Sequence, residues 1–202
     1  MILGSLDVHW NRVNEVPVDK LKLVNIGCGN KPFKGFLNVD NRTDLENVEY
    51  PGIDGANLTC FEDNSVDYVY ACHILEHIPR GGTFAALKEW NRVLNLGGML
   101  RISVPDWDAT VKYYQKTGDL ENVLNWLYGG REEEVKNEFS HKRIFNLANL
   151  RSLLYEAGFK RIEIYDPRDT FHSHHDDFSM AYRPHMDFEN GICMSLNIQA
   201  VK

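Results

Sequence analysis

The sequence predicts an α/β layer fold on a mainly parallel sheet, and three observations carry that expectation. From residue 21 onward, short runs rich in β-branched and aromatic residues alternate with segments of helical period, the pattern of repeated strand and helix units. An apolar run over residues 21–26 empties into Gly27-Cys28-Gly29, and a second over residues 36–39 ends on Asp40, so a buried strand, a glycine turn and a neighbouring strand with an acid at its tip follow in order. Residues 192–201 return to alternation, with Met194, Leu196, Ile198 and Ala200 on one side and Ser195, Asn197 and Gln199 on the other, as in a half-exposed antiparallel strand.

The first two strands frame a nucleoside site. Glycine has no Cβ, so the turn lets backbone N–H groups approach a ligand, while an acid ending the next strand can accept ribose hydroxyls. Only ten residues separate Gly29 from Asp40; a parallel crossover usually takes a dozen or more, so the first helix is expected to be a single turn or missing. A weak third strand falls near residues 48–53, and the turn Asp63-Asn64-Ser65 leads into a strand over residues 66–72. Residues 83–96 place Ala86, Trp90 and Val93 at helical spacing, with Gly97-Gly98 as the expected stop, and residues 99–104 form the next strand, ended by Pro105.

Asp106 or Asp108 caps a helix running toward Thr117, with Gly118 as its stop, and Leu120, Val123, Leu124 and Leu127 make a second helical stripe ending at Gly129. Beyond the charged residues 131–136, Asn146 caps a helix whose inner face is Leu147, Leu150, Leu154 and Ala157; Gly158 ends it and residues 161–165 read as a strand. Residues 166–190 show little periodicity. One domain over residues 21–202 accounts for this pattern, preceded by an extension over residues 1–20 in which Trp10 and Val16 are expected to pack on the domain edge.

Charge narrows the partners. Lys and Arg total 22 against 29 Asp and Glu, a formal charge of -7 without any cationic run, which works against nucleic-acid binding. Four scattered cysteines without a CxxC pair read as reduced thiols. The N-terminal residues lack a signal-peptide pattern, and no apolar run approaches the roughly 18 residues of a membrane span. A cytoplasmic protein without a membrane or nucleic-acid partner is expected; nothing in the sequence specifies an oligomeric state.

Asn30-Lys31-Pro32 stands where a dinucleotide fingerprint would place its third glycine and helix start, which counts against a pyrophosphate and a nucleotide-dependent dehydrogenase. Adenosine without a diphosphate fits better. The order IGCG, NVD, DNSVDYVYACHILEHIP, a Gly-Gly-ended helix, MLRISVPD and HKRIFNLANLRSLLYEAGF resembles the class I S-adenosylmethionine-dependent methyltransferases, particularly a small subgroup with a shortened first crossover, over residues 21–201. The resemblance implies a Rossmann-like doubly wound seven-stranded sheet with the last strand antiparallel, in a three-layer αβα sandwich. It further implies S-adenosylmethionine as cofactor: Gly27, Cys28 and Gly29, with Asn30 beside them, would line its methionine and ribose part. Asp40 would hold the ribose hydroxyls, Asp54 to Leu58 would meet the adenine, and Cys72 and His73 would lie beneath the reacting end.

Several polar groups carry competing readings. His73, Glu76 and His77 satisfy HxxEH, which on a helix would put two zinc ligands on one face, but Pro79, Gly81 and Gly82 end any helix within about a turn, so Glu76 and His77 read as structural and no metal is expected. His172, His174 and His175, beside Asp176 and Asp177, are solvated, substrate-facing or metal-binding. His141 is either a surface histidine or a substrate-side group, and Asp106 a helix cap or an active-site carboxylate. Tyr113 and Tyr114 read as core and rim.

The expected function is methyl transfer from S-adenosylmethionine to a small-molecule acceptor, a sugar or other metabolite, by in-line displacement, with His73 or His141 as base for a hydroxyl or amine. No Pro-Pro-Tyr run follows the fourth strand. That absence argues against methylation of nucleic-acid amines and leaves an alternative, a non-catalytic S-adenosylmethionine-binding sensor or partner subunit.

Overall fold

The computed structural model describes residues 16–130 and 140–202. Trp10 and the charged stretch 131–136 lie outside the described residues, whereas Val16 packs against Leu21, Leu23, Phe33 and Phe36 at the domain edge.

Seven strands form one sheet: β1 (Leu23–Ile26), β2 (Leu37–Asp40), β3 (Tyr50–Pro51), β4 (Val66–Cys72), β5 (Leu94–Pro105), β6 (Lys160–Ile164) and β9 (Ser195–Val201). β7 (Tyr182–Arg183) and β8 (Ile192–Cys193) pair in a separate antiparallel ribbon. The order is β3-β2-β1-β4-β5-β9-β6, with β9 antiparallel to both neighbours and the remaining pairs parallel. The chain winds outward from β1 to β3, then returns to pair β4 on the other side of β1, so the carboxyl ends of β1 and β4 flank the switch point where ligands bind in open α/β sheets.

Four helices are described: α1 (Thr83–Val93), α2 (Trp107–Thr117), α3 (Leu120–Tyr128) and α4 (Leu147–Glu156). Three of them carry side-chain caps, those of α2 and α4 at the expected residues, while α1 follows Gly82 without one. Asp106 accepts from the Asp108 N–H, Asp119 from Asn122 and Asn146 from Asn149, while Gly118 and Gly129 take the left-handed conformation that closes α2 and α3.

On one face of the sheet, Ala86, Leu87 and Trp90 of α1 and Leu150 and Leu154 of α4 pack on Val24, Ile26, Leu100, Ile102 and Leu196, all buried. The other face carries Leu23, Tyr68, Tyr70 and Met99. Among the described residues no α-helix covers it. Phe33 and Phe36 from the β1–β2 connection, and Phe171, His172 and His175 from the β6–β7 connection, form an aromatic layer there instead. The sandwich therefore has its expected seven-stranded, doubly wound centre, with loops as the outer layer on this side.

Two expectations need correction. Gly97-Gly98 does not stop α1; the helix ends at Val93 and β5 begins at Leu94, with Gly97 at φ 78° inside the strand. The β4–β5 register shifts between Val66 and Tyr68, and a Cβ on Gly98 would lie 2.8 Å from the Asn95 carbonyl oxygen, so the pair serves a bend in the strand. The second correction concerns the last strand, which is buried on both sides rather than half exposed, and Ile192–Cys193 belongs to the ribbon. Its polar side is satisfied internally: Asn197 donates to the Ser179 carbonyl and accepts from Ser103, and Ser195 donates to the Phe178 carbonyl. Alternation there marks hydrogen bonding to the β6–β7 connection, not contact with water.

Candidate functional site

The glycine turn is fixed by its neighbours. Gly27 and Cys28 donate to the Val39 carbonyl at 2.7 and 3.3 Å, and the Gly29 N–H donates to Asp40 Oδ2 at 2.8 Å. Gly27 has φ 66°, and a Cβ there would fall 2.0 Å from Ile74 Cδ1; Gly29 has φ 56° and faces open space. Asp40 is buried, with its second oxygen accepting from the Arg42 N–H at 3.0 Å. A carboxylate has about four acceptor positions, and the Arg42 guanidinium, with Nε 3.6 Å from that second oxygen, crowds one of those that remain.

The short crossover is held by Asn38, a residue that sequence pattern did not single out. Its Oδ1 accepts from the Phe33 N–H and from Asn25 Nδ2, and its Nδ2 donates to the Phe33 and Phe36 carbonyls and to Glu49. These bonds satisfy backbone groups that a crossover helix would otherwise satisfy.

A cleft of about 680 Å³ opens at the switch point. The residues from Gly27 to Lys31 form one wall and Asn122, Asn125 and Trp126 of α3 another; Cys72, His73, His77 and His141 line it between them, with Asp177 and Arg183 near the ribbon. Arg183 stacks its guanidinium over the Trp126 ring at 5.5 Å. Asn25, Trp126, Asp177 and Arg183 were not expected at the cleft, apart from Asp177 as a member of the polar cluster. Their sequence neighbourhoods carry no motif that would have singled them out.

His73 follows β4 in the left-handed conformation, φ 54°, with its N–H bonded to the Ser103 carbonyl at 2.8 Å. It is one of five non-glycine residues with positive φ among the described residues, held there by the Ser103 bond. Ser195 Oγ donates to Phe178, so the 2.9 Å contact between His73 Nε2 and Ser195 Oγ is donated by the ring. The other ring nitrogen, Nδ1, lies 3.1 Å from Glu76 Oε1, at ion-pair distance but off the alignment of a hydrogen bond.

Glu76 is fully buried on the 3-10 turn Leu75–His77, and neither carboxylate oxygen has a hydrogen-bond partner. Burial pushes its carboxyl pKa up, but His73 and then His77 outweigh that and leave it below the ordinary value. His141 donates from Nδ1 to the Trp126 carbonyl at 2.8 Å, which turns Nε2 toward Glu76 Oε1 at 3.9 Å. Burial lowers the His141 pKa despite Glu76, so this ring is neutral near pH 7.

The remaining expected residues lie elsewhere. Leu58 is fully buried in the core with its N–H donating to Glu89, and Asp54 is exposed and caps the Ala56 N–H, so neither reaches the cleft. Asn30 lines the cleft and accepts from Arg42, whereas Asp40 is buried and touches the cleft only through Gly29, whose N–H it holds. Asp106 acts as the α2 cap. His172 bonds Tyr68 beneath the aromatic layer, and burial, followed by Arg101, lowers its pKa to about 4. His175 stacks on Phe33 at 3.8 Å with His174 beside it, and none of these three histidines lines the cleft. Burial pushes the Cys28 thiol up to about 12 and raises Cys72 as well, so both are neutral thiols and poor nucleophiles. All four cysteines are free.

Comparison with known proteins gives this geometry a context. Residues 24–102 match a family model described as a methyltransferase domain. The demethylmenaquinone methyltransferase of Staphylococcus haemolyticus is 33% identical over 129 residues, covering 59% of this chain and 51% of its own. The chain thus spans about half the length of the curated relatives it matches. A structure from Thermotoga maritima, described as a possible histamine N-methyltransferase, superposes with a TM-score of 0.59 at 18% identity, covering 96% of this chain and 87% of that one. A methyltransferase structure from Methanosarcina mazei gives 0.59 at 18% identity, covering 98% and 99%. At such identities the structural likeness establishes the fold.

Proposed function

We infer, for a chain that has the class I S-adenosylmethionine-dependent methyltransferase fold and whose residues 24–102 match a methyltransferase-domain model, that it transfers a methyl group from S-adenosylmethionine to a small-molecule acceptor. The observation that carries this reading is one cleft shared by the glycine turn and by His73 and His141. The residues fit the cofactor: a side chain at Gly27 would collide with Ile74, Gly29 faces open space, and a cleft of about 680 Å³ is of the size that takes a small ligand.

When bound, S-adenosylmethionine supplies a methyl group already activated on a sulfonium. The chain's own residues bind, align and dry the site. Gly27, Cys28 and Gly29 bring backbone close to the methionine and ribose part, and the acceptor capacity left on Asp40 takes the ribose hydroxyls. Trp126 and Arg183 wall the acceptor side, where an apolar ring face and a cation suit a planar, polar metabolite. A hydroxyl or amine acceptor gives its proton to His141 Nε2, which is free to accept because Nδ1 donates to Trp126, and the Glu76 carboxylate 3.9 Å away stabilises the positive charge that results. The curated relatives are named for a quinone substrate, so a demethylated quinone belongs in the acceptor panel beside sugars and other metabolites.

The test is calorimetric titration with S-adenosylmethionine and its demethylated product, followed by incubation with labelled cofactor and the panel. Saturable binding with label appearing in an acceptor is expected. Binding without transfer to any acceptor would favour a non-catalytic sensor; no binding of either ligand at millimolar concentration would end both readings.

A further inference from the structure

Glu76, His77 and His141 offer one ligand atom each within 4.8 Å of one another; the two histidines line the cleft and Glu76 is fully buried. Both Glu76 oxygens and His77 Nδ1 are buried without a hydrogen-bond partner. His73 Nδ1 lies 3.1 Å from Oε1 at ion-pair distance but makes no hydrogen bond to it, so the buried carboxylate keeps acceptor positions that a cation would fill. His141 is oriented for ligation: its Nδ1–H is held by the Trp126 carbonyl at 2.8 Å, which leaves Nε2 as the free donor nitrogen on the Glu76 side. This is the outer-shell arrangement that fixes a metal-binding imidazole in one tautomer.

We propose that Glu76, His77 and His141 form a site for a first-row divalent cation of the zinc class, with its open coordination position facing the cleft. Two imidazoles and one carboxylate match the ligand set of zinc sites that keep a position open for water or substrate. At zinc bond lengths of roughly 2.0–2.1 Å, tetrahedral donor atoms stand about 3.3 Å apart, so side-chain movements of about 1.5 Å or less close the set. His77 and His141 pack edge to face with ring centroids 4.9 Å apart, and both line the cleft, so the ion has a route in and an oxygen of water or an acceptor has a route to it. The donors do not require the helix that the HxxEH spacing alone would demand: Glu76 and His77 come from the 3-10 turn, and His141 comes from the segment before α4. His73 stays outside the set: its Nε2 is held by Ser195, and its Nδ1, 3.1 Å from Glu76 Oε1, orients the carboxylate through the same oxygen that faces His141 Nε2. The site rests on this geometry and not on the methyl-transfer reading, and an ion bound there excludes His141 Nε2 as the proton acceptor.

The experiment uses the whole chain, treated with chelator and then titrated with Zn²⁺ by calorimetry and with Co²⁺ by visible absorption. A single equivalent of Zn²⁺ is expected to bind, with the intense Co²⁺ bands of a four- or five-coordinate site. Glu76→Gln and His141→Ala should each weaken Zn²⁺ at least about 100-fold, in line with loss of a direct ligand. Replacing His174 and His175 together by Ala should leave the affinity unchanged. The proposal is overturned by absence of saturable Zn²⁺ binding to the unmodified chain up to about 100 μM, by an affinity that survives both ligand replacements, or by one that falls with His174 and His175. Should Glu76→Gln lose its fold by circular dichroism, His141→Ala and His77→Ala decide the matter. Binding is read without cofactor or acceptor, so a failed methyltransferase assay leaves this test standing.

Discussion

Asp40 joins two kinds of work in one carboxylate, since the oxygen that anchors Gly29 belongs to the group assigned to the ribose. Asp40→Ala is expected to lower S-adenosylmethionine affinity by about 10- to 100-fold, from the loss of hydrogen bonds to a charged group worth about 1.5–3 kcal/mol. Calorimetry measures it, and an unchanged affinity would refute the ribose assignment. Gly27→Ala has a separate cause. Its Cβ would meet Ile74 at 2.0 Å and its φ of 66° strains any side chain, so the urea midpoint should drop by an amount corresponding to about 1–3 kcal/mol. Adding Ile74→Ala should relieve the clash and leave the backbone part. Both residues stood out in the sequence because glycine and an acid at strand ends have local meanings; the clash with Ile74 did not, because it depends on a contact between residues 47 apart.

At the scale of elements, the compressed β1–β2 connection shows where periodicity stops being informative. The spacing between Gly29 and Asp40 predicted a missing helix, but it could not say what replaces it, since Asn38 is a single polar residue inside an apolar run. In the structure Asn38 is buried and forms the hydrogen-bonded centre of that connection. Asn38→Leu should therefore destabilise the chain by roughly 2–4 kcal/mol, because it strips several buried backbone groups of partners. Hydrogen exchange should show the Phe33 amide losing protection first, and equal protection in the variant would contradict this account. The helices were the most legible elements: Asp106, Asn146, Gly118 and Gly129 act at their ends as the pattern implied. Gly97-Gly98 misled because a glycine pair after a helical run serves a strand bend equally well.

For the molecule as a whole, the doubly wound order and the antiparallel last strand were legible, while the unequal clothing of the two sheet faces was not. An aromatic layer of loop residues lacks any period, and its members come from distant parts of the chain. Its effect on stability is testable through His172. In the unfolded chain this ring takes a proton near the ordinary histidine value of about 6.5, whereas the folded ring resists protonation until about pH 4 because of burial and Arg101. The folded-state pKa is depressed, so the contribution is intact above about pH 6.5 and is lost as pH falls toward 4, by about 3 kcal/mol at most. Thermal melts from pH 7 to 4.5 should show a falling midpoint, and His172→Gln should flatten that slope. An equal slope in the variant would assign the effect to other groups.

The position of β9 between β5 and β6 carries a consequence for the order of assembly during synthesis. β6 pairs with β9 and with no other described strand. While a ribosome is still making residues 195–201, β5 stands as a raw edge, and Leu100, Ile102 and Val104 lack the cover that Leu196, Ile198 and Ala200 later give. The nascent chain is then a half-sheet with an unpaired apolar border, the state most exposed to pairing with a neighbouring chain. Arrival of its last strand closes both borders at once.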